Sequence, residues 1–168
     1  MSDFDQLEQA LVHLTDGTEE ERIAAIAFVG EVQYAPAVPH LTRLLREADP
    51  GTRYLAAQAL SKIGDEAESA VPTLLKALRA DDMWLRVSVT KALIQIGNPA
   101  VPGLIKALFD DNKAVRRAAA KALGKIGNDR AVSALTVALK DSDQAVKRFS
   151  AEALRRINTP DARAALGD

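Results

Sequence analysis

The sequence predicts an all-α fold: a solenoid of five two-helix repeats with a partial sixth. Three observations carry this reading. A basic residue recurs at Arg22, Arg53, Arg86, Arg116 and Lys147, in steps of 31, 33, 30 and 31. Four residues before each stands Thr18, Asp49, Asp82, Asn112 or Asp143, whose side-chain oxygen can accept a free N–H of a first helical turn. Ten residues after each stands Val32, Ile63, Ile96, Ile126 or Ile157. A lone pair of helices about 30 residues long cannot bury its apolar stripe, whereas stacked neighbours can, so such a period implies a solenoid.

Each element has its own local signal. The caps and the aliphatic ends place the second helices at roughly 19–32, 50–63, 83–96, 113–126 and 144–157. Pro50 falls at the first helical position, where proline costs least. Thr18 and Glu21 have capping-box spacing. Gly64, Gly97, Gly127 and Asn158 follow the aliphatic residue and suit a left-handed C′ position. In the first helices, Leu7, Val38, Val71, Val101 and Val132 align, and Leu14, Leu45, Leu78, Leu108 and Leu139 follow seven residues later. Leu41, Leu74, Leu104 and Leu135 complete an i, i+3, i+7 stripe. Pro39, Pro72 and Pro102 lie near the first turn of these helices. The repeats run approximately over 4–33, 34–65, 66–97, 98–127 and 128–158. They form a single domain over 1–168. Thr159 to Leu166 reads as the first helix of an unfinished sixth repeat, within a segment 159–168 that either caps the stack or continues in a longer chain.

Composition narrows the class. Hydrophobic residues make up 48% of the chain and aromatic residues only 4%, so small and aliphatic side chains must build the interior. There is no cysteine, which excludes disulfides and thiolate metal sites. No apolar run approaches the roughly 20 residues of a membrane span. The opening residues lack a basic region followed by an apolar stretch, so no signal peptide is expected and the cytoplasm is the default. A net charge of −1 conceals an asymmetry. Residues 1–98 hold 9 Lys+Arg against 15 Asp+Glu, a net −6, and residues 99–168 hold 13 against 8, a net +5. Such polarity can steer an encounter or bring two copies head to tail.

The segments AVPTLLKAL (70–78), AVPGLIKAL (100–108) and AVRRAAAKALGKIGN (114–128) resemble HEAT repeats. More narrowly, they resemble the short HEAT-like repeats of phycobilisome bilin lyase subunits. The likeness covers about residues 4–158, and the first repeat departs most, with TEEER at 18–22. It is specific for fold and weak for function, because one fold hosts many functions. It implies that the second helices line the concave side. It also implies an ionic ladder between neighbouring units, with Asp49, Asp82 and Asp143 meeting Arg53, Arg86, Arg116 and Lys147.

On that side, four columns of the second helix should face outward. The position after the reference residue holds Ile23, Tyr54, Val87, Arg117 and Arg148. Five after it stand Ala27, Gln58, Lys91, Lys121 and Glu152. Nine after it stand Glu31, Lys62, Gln95, Lys125 and Arg156, and two before it Glu20, Gly51, Trp84, Ala114 and Ala145. These columns vary between repeats while the core columns recur. They present an apolar and aromatic middle (Tyr54, Leu55, Met83, Trp84 and Val87) and a basic end (Lys91, Arg117, Lys121, Lys125, Arg148 and Arg156). Trp, Tyr, Met and Arg are common anchors of protein interfaces. Leu55 and Val87 equally fit packing between adjacent repeats, and the basic cluster equally fits a solvated helix face.

Nothing in the sequence specifies catalysis. His13 aligns with Leu44, Ala77, Ala107 and Ala138 and reads as a packed histidine; His40 aligns with Gln9, Thr73, Gly103 and Ser133, a surface column. Neither belongs to the paired His-Glu motifs that HEAT-like iron hydroxylases require. No phosphate loop or Ser-His-Asp set is present, so no cofactor and no metal are expected. The leading reading is a non-enzymatic scaffold or adaptor for another protein with an acidic surface. The alternative is a subunit that handles an open-chain tetrapyrrole on phycobiliproteins, with basic residues holding bilin propionates; lyase activity would then need a partner subunit. Nucleic-acid binding by the basic end is disfavoured by the overall pI of about 6.1. The architecture is checked by circular dichroism in the far ultraviolet. The expected spectrum is that of a helical protein, and appreciable β-structure would contradict the repeat register.

Overall fold

The computed structural model describes residues 3–167. Met1, Ser2 and Asp168, which belong to the expected span, lie outside the described residues. Eleven α-helices and no strand are found among them. The first helices of the repeats are α1 (Asp3–Asp16), α3 (Val38–Glu47), α5 (Val71–Ala77), α7 (Val101–Ala107) and α9 (Val132–Ala138). The second helices are α2 (Glu19–Glu31), α4 (Pro50–Ile63), α6 (Met83–Ile96), α8 (Lys113–Ile126) and α10 (Gln144–Ile157). The unfinished repeat supplies α11 (Pro160–Leu166). Short 3-10 segments at Ala35–Ala37, Gly64–Ala70, Asn98–Ala100 and Asp129–Ala131 lead into α3, α5, α7 and α9. No helix among the described residues is long and apolar enough to cross a membrane.

The five expected caps all form. The hydroxyl of Thr18 accepts from the Glu21 N–H, and Glu21 returns a carboxylate to the Thr18 N–H at 2.8 Å, which closes the capping box. Asp49, Asp82, Asn112 and Asp143 accept first-turn N–H groups of α4, α6, α8 and α10. The helix exits differ from one another. Gly127 and Asn158 are left-handed, whereas Gly64 and Gly97 leave at φ 78 and 77 with ψ −135 and −131, a region open essentially to glycine alone. In the first repeat the positive φ falls at the same register as in the others, but on Gln33 rather than on Gly or Asn. There α2 ends at Glu31, and Val32, expected as its aliphatic end, is the exposed C-cap.

Packing divides the chain into two compact units, residues 1–96 and residues 97–168. In the first unit α1, α3 and α5 form one layer and α2, α4 and α6 the other. In the second, α8 packs along α10, with α7 and α9 behind them and α11 against α9 and α10. The first-helix stripe is the core in both: Leu41, Leu74, Leu104 and Leu135 are fully enclosed, as are Leu14, Leu45 and Leu78. The second helices contribute Val29, Leu60, Leu93, Leu123 and Leu154, all enclosed and all seven residues after the reference position. The aliphatic column ten residues after the reference is only partly core. Ile63 and Ile96 are buried, while Ile126, expected to be buried, and Ile157 are half-exposed. The two that stay half-exposed precede left-handed exits; the two that are buried precede the glycine-only exits.

Neighbouring second helices approach closely at small residues. A Cβ on Gly30 would lie 3.1 Å from the Cα and Cβ of Ala59, and one on Gly124 only 2.8 Å from the Cβ of Ala153. Both glycines stand eight residues after their reference Arg, and both alanines six after theirs. This pairing sets the spacing between α2 and α4 and between α8 and α10.

The reference arginines do not form the expected ladder with the cap acids. They donate instead to main-chain carbonyls at or just past the end of the first helix of their own repeat. Arg22 donates to the Gly17 carbonyl, Arg53 to Leu45, Arg86 to Ala80 and Arg116 to Asp110. The physical reason is local: carbonyls of the last helical turn and of the loop after it lack intrahelical partners, and a cationic side chain a few residues on supplies one. The cap aspartates are already committed to their own N–H groups. Ionic links between repeats run from Arg116 to Asp141 and from Arg117 to Asp143.

Leu104 is fully enclosed within α7. Leu104→Ala is expected to cost about 2–5 kcal/mol through lost transfer energy and the cavity left behind. Chemical denaturation checks this, and a loss below about 1 kcal/mol would contradict the core assignment.

Candidate functional site

The outward columns read from the sequence are at the surface of each unit. Tyr54, Leu55, Met83, Trp84, Val87 and Lys91 fall in the first unit, on α4 and α6. Arg117, Lys121, Lys125, Arg148 and Arg156 fall in the second, on α8 and α10.

In the first unit, helix α6 begins with an exposed apolar patch. Trp84 is 66% exposed, Met83 56% and Val87 53%. The backbone N–H of Trp84 is fixed by the Asp82 carboxylate at 2.8 Å, so the indole projects from a rigid helix start. Tyr54 and Leu55 are half-buried. The Tyr54 hydroxyl accepts from Gln58 Nε2 at 2.6 Å, which holds the ring along α4. Further along the same layer, Lys62 of α4 pairs with Glu31 of α2, and Gln33 Nε2 donates to the Lys62 carbonyl at 2.7 Å. A shallow groove of about 340 Å³ opens there, and Lys91 and Gln95 line its other edge.

In the second unit, three of the expected basic residues converge on one cavity of about 250 Å³ between α8 and α10. Lys121 and Lys125 come from α8 and Arg156 from α10. Ala120, Gly124, Ala153 and the ring of Phe149 make the apolar lining, and Glu152 stands at the rim, 3.0 Å from Arg156. Arg148 lies elsewhere on α10, its guanidinium 5.0 Å from the centroid of the Phe149 ring. Arg117 is committed: its Nε donates to Asp143 Oδ1 at 2.8 Å and its Nη2 to Oδ2. This two-point contact, helped by the N–H groups of Val146 and Ala145, holds the Asp143 carboxyl far below the usual range against the opposing effect of desolvation. Arg116 does the same for Asp141, at 2.8 and 3.0 Å.

Phe149, Gly124 and Ala153 were not singled out from the sequence, and the close approach of α8 and α10 is what makes them a site. For Gly124 and Ala153 the signal lies in the small residues eight after Arg116 and six after Lys147; Phe149 has no such signal. His40, expected in a surface column, is half-buried, and its Nδ1 is enclosed without a hydrogen-bond partner. His13 is half-buried and lies 4.0 Å from the Glu21 carboxylate. No group of three or more metal-ligating side chains occurs among the described residues. The arrangement sets cations over an apolar floor in one unit and an exposed aromatic patch in the other.

The family model described as HEAT repeats matches residues 4–70 and 101–168. The model described as PBS lyase HEAT-like repeat matches residues 85–110. Among solved structures, the complex of CpcE and CpcF of phycocyanin lyase from Nostoc sp. PCC7120 is similar at 26% identity and a TM-score of 0.63, covering 95% of this chain and 68% of that one. An engineered protein is similar at 26% identity and a TM-score of 0.62, covering 100% and 85%. A designed armadillo repeat protein in complex with the peptide (KR)4 shares the fold at 20% identity and a TM-score of 0.64, covering 96% and 87%. No curated protein matches the chain.

The link between Arg117 and Asp143 makes the second unit sensitive to acid. Asp143 is depressed below its ordinary value of 3.8, so its stabilisation is fully present above that value and is lost progressively as pH falls from there towards the lower value it has in the folded chain. Asp143→Asn keeps a capping acceptor and removes the charge. The variant is expected to melt below wild type near neutral pH, with the gap closing as pH drops below about 4. Thermal melts across that range check this; a gap of constant size would contradict it.

Proposed function

We propose that this chain, which belongs to the HEAT-repeat family, is a scaffold without catalytic residues of its own that grips a protein partner through the outward faces of its second helices. One observation carries the reading. The inward columns of α2, α4, α6, α8 and α10 repeat small and aliphatic residues. The outward columns instead change from repeat to repeat and include the exposed Met83, Trp84 and Val87. Folding gives no reason to hold the only Trp of the chain in water at the start of a helix. A rigid indole beside a thioether and a branched aliphatic side chain is the chemistry of an interface anchor. A cytoplasmic setting is part of this reading.

A second reading is supported by the match of residues 85–110 to the lyase-type repeat and by the likeness to the phycocyanin lyase complex. In that reading the chain assists a partner subunit in handling an open-chain tetrapyrrole on a phycobiliprotein. Lys121, Lys125 and Arg156 hold the propionates, and the aromatic residues meet the pyrrole rings. A red shift and sharpening of bilin absorbance on mixing supports this second reading, and an unchanged spectrum removes it.

The scaffold reading is tested by immobilising the wild-type chain and Trp84→Ala in a native lysate and measuring affinity for the protein retained. Trp84→Ala is expected to weaken that binding by about 2 kcal/mol or more and to leave the melting temperature nearly unchanged. Unchanged affinity places the interface elsewhere. Loss of the fold makes Trp84 a packing residue, against its exposure.

A further inference from the structure

The position nine residues after the reference residue of each second helix carries a charge pattern that differs between the two units. In the first unit Glu31 of α2 and Lys62 of α4 occupy this position in neighbouring repeats and neutralise one another. In the second unit the same two positions hold Lys125 of α8 and Arg156 of α10, both at the rim of one cavity. Lys121 adds a third cation and Glu152 the single carboxylate. Neither Lys121 nor Lys125 has a hydrogen bond or ion pair among the described residues. Like charges gathered at a rim repel, and the fold gains nothing from them. An anion seated between them removes the repulsion. The cavity floor restricts what that anion is attached to. Gly124 and the Phe149 ring give the cavity of about 250 Å³ an apolar floor against which an aliphatic stem can lie.

We propose that this cavity receives an acidic side chain, a glutamate or aspartate, from an extended segment of the protein partner. The inference rests on the scaffold reading and gives the partner its chemistry. The incoming carboxylate sits between Lys121 and Lys125, and its methylene stem lies against Gly124 and the Phe149 ring. When the segment is absent Glu152 holds Arg156 at 3.0 Å. Binding transfers Arg156 from Glu152 to the partner. Glu152 is therefore an internal competitor, and its removal improves binding.

The test uses the full chain and a fluorescein-labelled peptide of alternating glutamate and alanine, followed by anisotropy at low salt. Lys125→Glu is expected to weaken binding about tenfold or more, by losing one attraction and adding one repulsion. The same substitution recreates the pattern of the first unit, so its melting temperature is expected to equal or exceed that of wild type. Lys106→Glu, at an exposed position of α7, changes net charge equally and is expected to leave binding within about twofold of wild type. Glu152→Gln is expected to tighten binding several-fold. The proposal is overturned if Lys106→Glu weakens binding as much as Lys125→Glu does, or if Glu152→Gln leaves it unchanged. A single-stranded oligonucleotide of equal charge that displaces the peptide more effectively than unlabelled peptide does would overturn it in favour of nucleic acid. Salt-sensitive self-association of the wild type that Lys125→Glu abolishes would make a second copy the occupant instead. These outcomes are independent of Trp84, so failure of the first unit's patch and failure of this cavity are read separately.

Discussion

A two-helix unit of about 30 residues exposes its leucines unless another unit lies beside it. Most of the structure follows from that constraint. Leu41, Leu74, Leu104 and Leu135 are fully enclosed in the stack. The same requirement acts on the second helices through Val29, Leu60, Leu93, Leu123 and Leu154. Covering these columns demands close approach, and close approach demands small residues where backbones pass. Gly30 against Ala59 and Gly124 against Ala153 meet that demand. The positions that neither cover a neighbour nor pass close to one are released from the repeat, and that release is where function has room to appear.

The local ends of the helices were the most legible part of the sequence. Thr18, Asp49, Asp82, Asn112 and Asp143 were recognisable because an N-cap is a contact between residues two or three apart, with little tertiary contribution. The start of every second helix followed from them. The exits were less legible. Gly64 and Gly127 look alike in sequence, yet one turns with ψ −135 and the other with ψ 20. Gly97 turns as Gly64 does, yet a three-residue 3-10 segment follows it, as one follows Asn128, so neither the glycine nor the length of the next segment announces the exit. The half-exposure of Ile126 is equally absent from the sequence pattern.

The candidate site was legible residue by residue but not as a site. Helical periodicity placed Trp84, Lys121 and Arg156 at the surface, since a single helix fixes which of its faces is outward. It said nothing of pairing between helices. Arg117 was grouped with the free cations, whereas the start of α10 brings Asp143 within 2.8 Å of it. Of the reference arginines expected to bridge repeats, Arg116 does so, though to Asp141 rather than to a cap acid, while Arg22, Arg53 and Arg86 donate to main-chain carbonyls of their own repeats. In each case a long cationic side chain had several acceptors within reach, and only the tertiary arrangement selected one. The cavity beside Lys121 depends on the distance between α8 and α10, which is set by Gly124 and Ala153 rather than by any charged residue.

The central claim is a division of labour within each second helix: inward columns hold the stack, and outward columns hold a partner. An alanine scan along α4, α6, α8 and α10, reading melting temperature and partner retention from the same variants, tests it most directly. The account predicts two nearly separate sets. Substitutions at Leu60, Leu93, Leu123 and Leu154 lower the melting temperature, and substitutions at Trp84, Val87, Lys121 and Lys125 lower retention at an unchanged melting temperature. Outward variants that melt early, or that retain the partner as well as wild type does, would contradict it.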